Sequence, residues 1–79
     1  MPGVTILRNG EKPTDPDNNV TVYEWHHSSR APEFDVTVTK EGIVTTGVFV
    51  TGKVTEAIVW AGEEAVRHGF GSEIYIAEA

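Results

Sequence analysis

The stretch FDVTVTKEGIVTTGVFV (34–50), followed by TGKVTEAIVWAGEEAVRHGF (51–70), decides the fold. Phe34, Val36 and Val38 alternate with Asp35, Thr37 and Thr39, the period-two pattern of a half-buried strand. Across the turn, Val44, Val48 and Val50 share one parity, with Thr46 among them. A two-residue turn would set Val38 opposite Thr45 and put the valine rows on opposite faces. A three-residue loop, Lys40-Glu41-Gly42, sets Val38 opposite Val44 and Phe34 opposite Val48. The hydrophobic pattern therefore selects the longer loop, with Gly42 left-handed and a bulge beside it. The other face then holds Thr37, Thr39, Ile43, Thr45 and Phe49, with Gly47 marking a bend or a close backbone approach.

Thr51-Gly52 closes this hairpin and opens a helix expected over 54–68. Val54, Ala57, Ile58, Ala61 and Ala65 form one stripe at helical spacing, and the alanines let it sit close to a sheet. Gly69 suits the left-handed position after the helix, with Phe70 folding back over the last turn. His68 and Arg67 place positive charge where the helix dipole favours it. The segment EIYIA (73–77) reads as a final strand, Ile74 and Ile76 on one side and Tyr75 on the other.

Upstream, VTILR (4–8) is a short β-prone run ended by Asn9-Gly10, and EKPTDPDNN (11–19) is a polar loop expected to be mobile. VTVYEWHH (20–27) is the next strand; its mixed parities require either a bulge or partial cover of both faces. SSRAPE (28–33) is a loop. The element order is β-β-β-β-α-β in one domain, 1–79. The fold class is α+β: a mostly antiparallel four- to five-stranded sheet with one helix across one face. The last strand returns after a helix, so it is expected to run parallel to the strand before that helix.

Composition limits function. With no cysteine, disulfides and the usual Cys/His zinc sites are excluded. A chain of 79 residues buries a modest share of its surface, which leaves a homodimer open as a way to bury more. Twelve carboxylates against six Lys and Arg give a net charge of −6, which disfavours non-specific DNA binding and suits an acidic surface for a basic partner. No apolar run is long enough to span a bilayer. Met1-Pro2-Gly3 lacks a basic n-region and an apolar h-region, so no signal peptide is expected and the location is read as cytoplasmic.

Trp60 is the strongest candidate contact residue. It lies off the apolar stripe, beside Glu56, Glu63, Glu64 and Arg67, as an interface anchor ringed by charge would. The alternative is that a loop or the N-terminal strand folds over it. Val59 and Val66 flank the stripe and widen the contact. Phe49, Trp25 and Tyr75 form a second apolar patch if one sheet face is open, and otherwise join the core.

Other constellations carry less. His26 and His27 point to opposite faces of a strand and cannot share one ion without a bulge, and His68 is remote in sequence. With no cysteine and no evident third donor, no metal or cofactor is expected. Ser28 or Ser29, His27 and Asp35 have the residue types of a hydrolytic triad, but their spacing is unspecific and the fold leaves little volume for a pocket. No catalytic residue is assigned. Asp15, Asp17 and Asn19 alternate like the start of a calcium loop, yet Val20 and His26 stand where glycine and a bidentate glutamate are required.

In size, acidity, lack of cysteine and element order, the chain resembles small phage-encoded anti-CRISPR proteins. That resemblance implies a non-enzymatic inhibitor that binds a CRISPR effector in the bacterial cytoplasm and blocks DNA recognition. Gly52-Lys53-Val54-Thr55-Glu56-Ala57-Ile58 is similar to the strand-to-helix entry of HicB-type antitoxins, which implies instead an antitoxin-like or oligomeric accessory subunit.

Overall fold

The computed structural model describes residues 3–79; Met1 and Pro2, part of the segment that lacks a signal-peptide pattern, lie outside the described residues. The chain is an α+β domain with strands β1 (Gly3–Ile6), β2 (Asn19–Trp25), β3 (Glu33–Lys40), β4 (Ile43–Thr51) and β5 (Glu73–Glu78) and helix α1 (Val54–Arg67). The five-stranded sheet has the order β1-β5-β2-β3-β4. Most of its register is antiparallel, through β2–β3 and β3–β4. β5 enters between β1 and β2 and runs parallel to both. It therefore shares the direction of β4, as expected, but β2 and β3 lie between them.

The β2–β3 register runs without interruption from Asn19↔Thr39 to Trp25↔Glu33. Of the two readings of β2, cover on both faces is the one observed. Val20 and Val22 meet Val38 and Val36 beneath the helix, and all four are buried. Asn19, Thr21, Thr37 and Thr39 are buried on the opposite face, as is Tyr75. The connection from β1 to β2 must pass β5, and the Thr14 N–H donates to the Tyr75 hydroxyl at 3.1 Å. The polar 11–19 loop is thus tied to the sheet at Thr14.

The hairpin differs from the sequence reading. Lys40 pairs with Ile43, so the turn has two residues, Glu41 and Gly42, with φ of 51° and 79°. Positive φ at both positions is the turn whose twist matches antiparallel strands. Its cost at Glu41 is offset by outside support: Gly42 N–H donates to the Asp17 carbonyl and Glu41 N–H to Asn18 Oδ1, at 3.0 and 3.1 Å. Val38 consequently faces Thr45. The register then shifts between Val38 and Val36, and beyond it Val36 faces Phe49 and Phe34 faces Thr51. The shift preserves parity. Phe49 therefore lies on the face of Phe34 and Val36, while Val44 and Val50 remain off the core and exposed. The valine rows did not set the register; the two-residue turn, held by Asp17 and Asn18, did. Gly47 does mark the bend expected of it, with φ 67°.

α1 lies over β2, β3, β4 and β5. Ala57, Ala61 and Ala65 are fully buried against Val20, Val22, Val36 and Ile74. Strand β1 stays beyond the helix, leaving Val4 and Ile6 exposed. At the helix start, Thr51 Oγ1 accepts from Lys53 N–H and donates to Glu56 Oε1, so a residue of β4 supplies the cap that Lys53 lacks. At its end, Phe70 N–H reaches the Ala65 carbonyl and Gly69 N–H the Val66 carbonyl, the pair of bonds expected with a left-handed glycine, and Phe70 packs back on the core.

Candidate functional site

Where β4 meets α1, the Phe49 and Trp60 rings stack at 4.6 Å and 12°. The stack forms across the β4–α1 junction: Phe49 faces the helix from the end of β4, opposite Val36, and Trp60 reaches it from α1. Trp60 is half-buried and packs against the core, so it is neither the fully exposed anchor nor a residue covered by a loop. Its indole N–H is shielded and has no acceptor among the described residues.

Phe49, Thr55, Glu56, Val59, Trp60 and Glu63 line an open notch of about 470 Å³ around this stack. The floor is aromatic and the rim carries Val59, exposed, with Glu56 and Glu63. Such a surface can receive an aliphatic stem or a planar cation against the rings while the carboxylates meet its charge.

The other sequence-selected residues of this helix fall elsewhere. Glu64 is buried, with Arg67 Nη1 3.1 Å from its Oε2 at an angle that falls short of a hydrogen bond. It is therefore not an exposed carboxylate. Arg67 is exposed and serves this internal pair. Phe49, Trp25 and Tyr75 do not form one patch: Phe49 joins the stack, Tyr75 is buried on the far face, and Trp25 is exposed at the end of β2. The sequence grouped Phe49 with Trp25 and Tyr75; its pairing with Trp60 follows only from the observed hairpin register.

The hydrolytic constellation is not assembled as a relay. The Asp35 carboxylate accepts from Gly47 N–H and Thr37 hydroxyl, and His27 Nε2 lies 2.9 Å from Glu33 Oε1 instead. The alternating Asp15, Asp17 and Asn19 perform turn chemistry: Asp15 Oδ1 accepts from Asp17 N–H, and the Asn19 amide donates to the Asp15 and Pro16 carbonyls. His26 stands beside Glu24 and Glu78, a juxtaposition that only the entry of β5 next to β2 creates.

Comparison with known proteins finds no match: no family model fits the chain, no characterised protein is significantly similar to it, and no solved structure is significantly similar to its fold.

Proposed function

We propose that this chain is a non-enzymatic binding protein whose Phe49–Trp60 notch docks on a basic surface of a nucleic-acid-handling protein. The observation that carries this reading is the notch itself, an aromatic floor rimmed by Glu56 and Glu63 on a chain of net charge −6. Lysine and arginine side chains placed to hold phosphates are the complement of such a rim. Occupying them would exclude nucleic acid by charge and by bulk, with no reaction and no cofactor.

The particular form we infer is a phage-encoded anti-CRISPR inhibitor acting in the bacterial cytoplasm on a CRISPR effector. Size, acidity and element order support it. The test is whether the purified chain blocks target-DNA binding by purified CRISPR effector complexes, and whether Glu63→Lys relieves the block. Failure to inhibit any member of a broad panel would remove this form while leaving the notch as a protein contact.

One observation favours a second reading, an antitoxin-like or oligomeric accessory subunit. β4 lies at the sheet edge, carries no charged residue, and exposes Ile43, Val44 and Val50. Uncharged edges of this kind pair readily with another strand. A mass in solution that doubles with concentration supports this subunit reading, and a monomer at all concentrations removes it.

A further inference from the structure

We infer that Glu24, His26 and Glu78 form a surface site for a divalent transition-metal ion, with zinc as the best-matched probe. This inference is independent of the notch. Glu24 and Glu78 are register partners on neighbouring parallel strands, and Ala79 N–H donates to the Glu24 carbonyl at 3.0 Å, which ties the two strand ends together. Two like charges are thereby held side by side, an arrangement that costs stability unless a cation sits between them. Among the described residues, neither carboxylate pairs with a lysine or arginine, although Arg8 and Lys12 line the adjoining groove.

His26, two residues beyond Glu24, supplies the third donor. Its Nε2 lies 3.6 Å from Glu24 Oε2 and 3.9 Å from Glu78 Oε1. Those separations are too long for hydrogen bonds. They are close to the spacing around a shared ion: tetrahedral zinc, with ligands at about 2.0–2.2 Å, holds neighbouring ligand atoms about 3.3–3.5 Å apart. One ligand atom from each of the three residues lies within 4.8 Å of the other two, so small side-chain rotations bring them to one centre. The His26 and Glu78 side chains are 61% and 81% exposed, free to make that adjustment, whereas Glu24 is 28% exposed and more constrained. One imidazole and two carboxylates suit a borderline divalent ion, and two carboxylates neutralise its charge. Both carboxylates also line the groove that residues 6–13 form with the ends of β2 and β5, so the fourth position opens to water.

The test is a zinc titration of the whole chain, followed through the imidazole resonances of His26, His27 and His68 by NMR. We expect saturable one-to-one binding that shifts His26 and spares His68. Glu78→Gln should weaken it by at least the roughly tenfold that loss of a supporting contact costs at a metal centre. His26→Ala should abolish it. Circular dichroism checks that the variants fold, and both substitutions are at exposed side chains. Equal perturbation of all three histidines, unchanged affinity in His26→Ala, or no binding at all would each overturn the site.

Discussion

Phe49 and Trp60, from the edge strand and the helix, stack at 4.6 Å, and the contact is both a piece of the core boundary and the floor of the notch. Trp60→Ala should therefore affect stability as well as binding. A fully buried aromatic truncated to alanine costs about 3–5 kcal/mol; for this half-buried ring we expect about 2–3 kcal/mol, with the lost stack included. Urea denaturation measures it. Glu63→Lys, on the exposed rim, should change stability by less than about 0.5 kcal/mol and is the cleaner probe of binding. A Trp60→Ala variant as stable as the parent would show that the stack contributes nothing to the fold.

The bulge in β4 rests on a single carboxylate. Asp35 Oδ1 accepts Gly47 N–H at 2.8 Å and the Thr37 hydroxyl at 3.1 Å. Asp35→Ala should cost about 1.5–3 kcal/mol, the range for hydrogen bonds to a charged group. Gly47→Ala tests the backbone separately. A Cβ there meets nothing within 4 Å, so its expected cost of about 1–2 kcal/mol comes only from the left-handed φ of 67°. Because the bulge sets Phe49 opposite Val36, Asp35→Ala should also loosen the Phe49–Trp60 contact, visible as a change in the aromatic circular dichroism signal.

Glu64 gives a different kind of prediction. A buried carboxylate paired with one exposed arginine is a poor source of stability, because desolvation offsets much of the attraction. Glu64→Leu should be neutral or stabilising. Arg67→Ala, which leaves the carboxylate buried alone, should destabilise by about 1 kcal/mol, discounted for the exposure of Arg67. Thermal denaturation of both variants checks the sign, and a strongly destabilised Glu64→Leu would contradict this account.

The C-terminal half was legible because its signals are local. The alanine stripe, Gly69 and Phe70 each specify geometry within a few residues, and α1 and its terminus follow them. The hairpin was misread because its register is set from outside: Asp17 and Asn18 hold the turn, and Asp35 holds the bulge. Strand order was not legible, since nothing in residues 73–77 announces that β5 enters between β1 and β2. The same holds for the candidate sites. Trp60, Glu56 and Glu63 were found by helical spacing, and they do meet in one notch. Phe49 and the Glu24–His26–Glu78 trio needed the tertiary register, which no single stretch contains.

The most direct test of the notch is affinity capture from a bacterial lysate, at low and high salt, by the parent chain and by a Val59→Lys, Glu63→Lys double variant. Both substitutions lie on the exposed rim and leave the Phe49–Trp60 stack in place. The expected result is a discrete nucleic-acid-handling complex held by the parent at low salt, weakened at high salt, and lost from the double variant. Equal capture by both proteins, or recovery of no such complex by the parent, would contradict it.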